Sequence, residues 1–195
     1  IMIRKKITSS IPSFFYSYET NAPFKHCTMC DESFTDLSRY FIEKVFKQNI
    51  VLNKSEIVYE YAICELCATS MSNEISDESK LAITQLYEAY SENLLRKIDY
   101  LHRTEKYSIE SWIDRCSLTG KEVRLCNEYA VNGIIENGCL VYEHTPIVIS
   151  DDFVLKIQEV LSKETKDTFN DFNKQITDGS PSVEDLIFSP SPSIF

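Results

Sequence analysis

The chain has 195 residues, 43% of them hydrophobic and 26% charged, with a net charge of −10 and a pI near 4.8. That length fits one large domain or two small ones, and the acidic balance argues against a duplex nucleic-acid binder, which needs a basic face to neutralise phosphates. Only four glycines occur, so neither a GxGxxG nor a GxxxxGK[ST] phosphate loop can be written.

Residues 1 to 25 read as an extended arm, with Phe14, Phe15 and Tyr16 tucked against the body and Pro23 keeping the approach to Cys27 extended. The stretch from Met2 to Tyr18 carries the basic group Arg4-Lys5-Lys6. Serines and Pro12 interrupt it, so no secretion signal is expected, and no 18-residue apolar run offers a membrane span. Seven cysteines in such a chain point to reduced thiols and a cytoplasmic setting.

The first cysteine pair is Cys27-Thr28-Met29-Cys30, followed by turn-forming Asp31-Glu32-Ser33. Phe34, Leu37, Phe41 and Val45, widened by Ile42 and Phe46, recur at helical spacing and predict a helix over about 35–48, capped by Thr35 or Asp36. Asn53-Lys54 reads as a turn. Residues 56–64 alternate and are rich in β-branched and aromatic side chains, which predicts a strand delivering the second pair, Cys64-Glu65-Leu66-Cys67. A polar stretch to Asp77 follows, with a helical turn at its start. Ser76 or Asp77 then caps a long helix to about His102, with Ile83, Leu86, Tyr87, Tyr90, Leu94, Ile98 and Leu101 on one stripe.

In the second half, Ser108 caps a short helix holding the single tryptophan, Trp112. Residues 122–134 and 139–149 read as two strands joined at Glu136-Asn137-Gly138. Asp151 opens a last helix with Val154, Ile157, Leu161, Phe169, Phe172 and Ile176 inward, ended by Gly179. Residues 180–195 are rich in Ser and Pro; Leu186, Ile187 and Phe188 are the residues that would pin them to the chain's own body or to a partner.

Cys27, Cys30, Cys64 and Cys67 form the candidate metal site. A two-residue gap lets both thiolates of a pair face one ion, and two pairs complete a tetrahedral zinc shell with no position left for water, which makes the site structural. A thioredoxin-like redox pair and an iron–sulfur site are the alternatives. His26, beside Cys27, is placed at the surface or behind the ligands. The two pairs, knuckle first and then strand end before helical sequence, resemble the zinc-ribbon and treble-clef group of zinc-binding domains over roughly residues 24–75. The resemblance implies a metal site and a local shape but no activity. Asp31 stands where such knuckles usually carry glycine.

The segment Cys116-Ser117-Leu118-Thr119-Gly120 echoes the first knuckle, with Thr119 where a second thiolate would stand. This suggests an eroded duplicate in which apolar packing has replaced the metal. Cys116, Cys126, Cys139 and His144 form a weaker second candidate set, at spacings that fit no common template. The patterns HExxH, GxSxG and the deaminase HxE with PCxxC are absent.

The expected architecture is α+β: a zinc-knuckle unit with its long helix over 1–105, a β-hairpin and helix unit over 106–178, and a tail over 179–195. The expected function is non-enzymatic: a zinc-stabilised protein acting as a scaffold or through a protein partner, away from membranes. The alternatives are an enzyme whose site is assembled from residues distant in sequence, and a zinc-ribbon nucleic-acid module.

Overall fold

The computed structural model describes residues 6–35, 38–49, 52 and 54–177, with side chains as far as Phe172. Arg4, Lys5, Asp36, Leu37, Asn53, the side chain of Ile176, Gly179 and the segment 183–188 lie outside the described residues. In chain order the elements are β1 (Ile7–Ser10), a 3-10 turn (Ser13–Phe15), β2 (Arg39–Asn49), β3 (Lys54–Cys64), α1 (Glu65–Glu74), α2 (Asp77–Arg103) and α3 (Ile109–Ile113). After a second 3-10 turn (Val123–Leu125) come β4 (Glu128–Glu136), β5 (Cys139–Tyr142), β6 (Ile147–Ser150), α4 (Asp151–Val160) and α5 (Lys163–Thr177). Helices and one antiparallel sheet make the α+β class expected.

The helix expected over 35–48 is instead the strand β2. Tyr40, Ile42, Val45 and Phe46 are all buried, because β2 lies between β3 and β4 with both faces covered. A strand buried on both faces gives a near-continuous apolar run, which mimics helical spacing over a short window. The polar stretch after Cys67 is largely helix α1. The expected strand 139–149 is two strands, β5 and β6, parted by Glu143–Pro146, and the last helix breaks at Leu161-Ser162 into α4 and α5. The hairpin turn is as read: Asn137 and Gly138 take φ of 52° and 70°, as a type I′ turn requires.

The strand order is β1-β5-β4-β2-β3, with β6 also paired to β4. Two antiparallel pairs, β2–β3 and β4–β6, meet at its centre, and their registers match. In the first, Tyr40 faces Cys64 and Ile42 faces Ala62; in the second, Tyr129 faces Ser150 and Val131 faces Val148. Tyr40 to Tyr129 is a spacing of 89 residues, and Cys64 to Ser150 one of 86. Where β2 pairs with β4, Glu43 faces Asn132, again 89 residues on. The other pairs are reciprocal about this one, Tyr40 facing Ile135 as Phe46 faces Tyr129, so a local two-fold axis passes between Glu43 and Asn132.

The helices obey the same symmetry. Shifting α1 by 86 residues gives α4, and the start of α2 becomes the start of α5. Ser76 and Ser162, also 86 apart, cap these two helices by accepting from the N–H groups of Ser79 and Thr165, both at 3.2 Å. The caps also bond each other. Ser76 N–H donates to Thr165 Oγ1 at 3.1 Å, Ser162 N–H donates to Ser79 Oγ at 2.9 Å, and the two cap hydroxyls lie 2.9 Å apart. This reciprocal hub is inside the protein; Ser79 and Thr165 have no exposed surface.

Alternate side chains of the strands face two cores. Tyr59, Tyr61 and Ile63 join Met71, Ile83, Phe153, Phe169 and Phe172 under the helices. Tyr40, Ile42, Val131 and Val148 join Phe15, Trp112 and Tyr142 on the other face. Helix α2 serves both, with Ile83 in the first core and Ile98 and Leu101 in the second. The N-terminal arm breaks the two-fold. It adds β1 to the β5 edge, and Lys44, almost fully buried, pairs with Glu60 at 2.8 Å and donates to the carbonyl of Tyr16.

The arm also lays the Phe15 ring on Gly133, where an added Cβ would meet ring carbon at 2.7 Å. Phe15 is fully enclosed and has no room to step aside. Gly133→Ala is therefore expected to cost about 1–3 kcal/mol by overpacking, read as a lower denaturant midpoint with unchanged slope.

Candidate metal centre

The first knuckle is built by local backbone bonds. Cys27 N–H donates to Glu32 O and Asp31 N–H to Cys27 O, both at 2.9 Å. Asp31 takes φ of 58°, the left-handed conformation that glycine usually supplies and Asp tolerates. Thr28 ties the knuckle to β3: its N–H donates to Ala62 O at 2.8 Å, and its hydroxyl accepts from Ala62 N–H at 3.1 Å. That clamp sits two residues before Cys64, which ends β3 and caps α1, while Cys67 lies in the first turn of that helix.

The result brings all four sulfurs of Cys27, Cys30, Cys64 and Cys67 within 4.8 Å of one another, a group that can hold a metal ion. Cys30 and Cys64 sulfurs are 3.8 Å apart. Ligands of a tetrahedral thiolate shell with Zn–S bonds of about 2.3 Å lie roughly 3.8 Å apart, whereas a disulfide would need about 2.05 Å. The residues present thus fit a single tetrahedral ion.

Two backbone donors point at the sulfurs: Cys64 N–H at Cys27 and Cys67 N–H at Cys64, each at 3.4 Å. Burial opposes ionisation of Cys27, but the N–H groups of Cys64, Cys30 and Met29 outweigh it and bring its pKa down to about 7. Cys67 is pushed far up, first by burial and then by the neighbouring thiols. One sulfur ionises readily and its neighbour resists, so a full set of four thiolates needs a cation among them. His26 stands outside the group, its Nδ1 near Asp31 O at 3.3 Å.

The second knuckle repeats the first bond for bond. Cys116 N–H donates to Lys121 O at 2.8 Å and Gly120 N–H to Cys116 O at 3.0 Å, with Gly120 at φ of 75° in the place of Asp31. Ser117 repeats the clamp of Thr28: its N–H donates to Val148 O at 2.8 Å and its hydroxyl accepts from Val148 N–H at 3.0 Å. Thr28 and Ser117 escaped the sequence reading, although a hydroxyl residue follows the first cysteine of both knuckles. The positions equivalent to Cys27, Cys30, Cys64 and Cys67 are Cys116, Thr119, Ser150 and Phe153. Thr119 and Ser150 hydroxyls lie 3.3 Å apart, as the Cys30 and Cys64 sulfurs face each other in the first.

Behind this knuckle Asp151, nearly fully buried, accepts from Lys121 Nζ and Asn127 N–H, both at 2.8 Å. Burial alone would raise its pKa; Lys121 and the N–H groups of Asn127 and Asp152 outweigh that and hold it below the ordinary range. A lowered folded-state pKa adds stability above the unfolded value, near 3.9, which is lost as pH falls through the folded one. Asp151→Asn should cost about 1.5–3 kcal/mol at pH 7, and the gap to wild type should close as the pH falls below about 4 in denaturation measured across pH.

Cys116, Cys126, Cys139 and His144 are not brought together as a metal-holding group among the described residues. Cys116 is in the core under the helices, Cys126 in the core on the other face, and Cys139 faces Ser10 at the β5 edge. Burial, first of all, pushes the Cys126 thiol up to about 12. His144 instead lines a cleft of about 600 Å³ with His102, Ile98, Tyr107, Tyr142 and Glu143. None of the seven cysteines is in that cleft. Among the described residues no helix is long and apolar enough to cross a membrane. Comparison with family models, with curated proteins and with solved structures returned no match.

Proposed function

We propose that the chain is a non-enzymatic interaction or scaffold protein whose Cys27, Cys30, Cys64 and Cys67 hold one structural zinc ion. The mutual approach of the four sulfurs within 4.8 Å carries this reading. Four thiolates fill a tetrahedral shell and leave no position for water or substrate, so the ion would serve the fold and not a reaction. Knuckle, hairpin, and a helix bearing the second pair on its first turn also follow the treble-clef order, which the sequence resembles.

A protein partner is supported at the mouth of the site. Leu66, in the first turn of α1 between the cysteines of the second pair, is 82% exposed and so is available to a partner. A net charge of −10 weighs against nucleic acid as that partner.

Native mass spectrometry of protein purified without added metal tests the reading. One zinc per chain, removed by a strong chelator with loss of cooperative unfolding, is the expected result. A metal-free, fully folded chain or an iron–sulfur absorption spectrum would contradict it.

A further inference from the structure

We propose that the second knuckle is a disarmed metal site, its four ligand positions being Cys116, Thr119, Ser150 and Phe153, and that its backbone cradle still accepts a tetrahedral zinc ion once thiolates are restored. The inference rests on the zinc reading of the first knuckle.

Four independent parts of the cradle survive. The two backbone bonds of the knuckle are present, together with the left-handed turn at Gly120. The Ser117 clamp still fixes the knuckle to β6 two residues before Ser150, as Thr28 fixes the first to β3 two residues before Cys64. The N–H of Thr119 still points at Cys116 sulfur at 3.4 Å, a bond made to a lone cysteine as it would be to a bound thiolate. Finally, Ser150 ends a strand and precedes a helix in the way Cys64 does, with the fourth position three residues on in the first turn. The equivalence holds on both sides of the connecting loop, at spacings of 89 residues before it and 86 after it.

What has changed is confined to the side chains that would meet the ion. Thr119 and Ser150 are neutral hydroxyls too weakly basic to bind zinc at neutral pH, and they hydrogen-bond to each other instead. Phe153, with no exposed surface, puts a ring where a fourth thiolate would stand and rests edge-on against Tyr87 and Tyr90 at 5.3 Å. A dry aromatic and one hydroxyl pair thus do the work of the ion. The molecule is a fused pair of like units, one relying on metal and the other on its core.

The test is metal stoichiometry in the full chain. Thr119→Cys/Ser150→Cys/Phe153→Cys is expected to raise zinc from one to two per chain, and to retain one when Cys64→Ser and Cys67→Ser remove the first site. Because Phe153 is a core residue, Thr119→Cys/Ser150→Cys is measured in parallel. With Cys116 it offers three thiolates, too few to retain zinc through purification, but excess cobalt should add sulfur-to-cobalt charge-transfer absorption to that of the first site. Wild type holding one ion while neither variant gains a second overturns the inference, as does loss of the fold in both, since an intact cradle is its premise. Wild type holding no ion overturns the reading of the first site instead, and a single ion gained only with the restored thiolates would still support the cradle.

Discussion

Cys64→Ser is expected to abolish stable zinc binding and to remove most of the folding free energy of the first unit. Apparent zinc binding to a four-cysteine site contributes on the order of 10 kcal/mol, against a total stability of about 5–15 kcal/mol for an ordinary domain. Serine isolates the metal's share. Cys64 caps α1, its sulfur accepting from Cys67 N–H, and serine is a better cap than cysteine. The protein itself uses a serine in this role before α2, where the Ser76 hydroxyl accepts from Ser79 N–H at 3.2 Å. Whatever stability is lost therefore reports the missing ligand and not a broken helix end. The site joins the knuckle, the end of β3 and the start of α1, so hydrogen exchange should accelerate first in those segments, with native mass spectrometry recording the lost ion. An unchanged unfolding curve would mean that the cluster holds its shape through the Thr28 clamp alone.

Phe153→Ala is expected to cost about 3–5 kcal/mol, the usual range for truncating an enclosed aromatic. The ring has no exposed surface and contacts Tyr87 and Tyr90, so the cavity would lie at the junction of α2 and α4. The two substitutions occupy matching places in the two units but should part in their readouts. Cys64→Ser loses the ion, whereas Phe153→Ala keeps one zinc per chain while its denaturant midpoint falls. A drop below about 1 kcal/mol would show that the site collapses around the gap.

The cysteine pairs were legible because metal ligation ties residue type to spacing, and the structure brings those four sulfurs together. Helix α2 was legible from its Ser76 cap, its acidic first turn and its basic last turn, all local signals. The hairpin at Asn137-Gly138 was legible because a turn with two positive φ values restricts the residues allowed. Strand β2 was not. Its apolar run follows from lying between two strands, a circumstance set by residues far along the chain.

The doubled plan was only half legible. Cys116 and Gly120 showed the second knuckle, yet Ser150 and Phe153, its other two positions, have no resemblance to ligands. A further trace lay in Ile75-Ser76-Asp77-Glu78-Ser79-Lys80 against Leu161-Ser162-Lys163-Glu164-Thr165-Lys166. Its meaning is clear only in three dimensions, where each cap donates its own N–H to a hydroxyl of the other segment across the two-fold. Hydroxyls that make those bonds look, in sequence, like ordinary solvated caps.

X-ray absorption at the zinc edge of the purified protein tests the account most directly. Four sulfur scatterers at about 2.3 Å, with no nitrogen or oxygen in the shell, is the predicted result. A mixed sulfur and nitrogen or oxygen shell, or a folded chain with no zinc to measure, would contradict it.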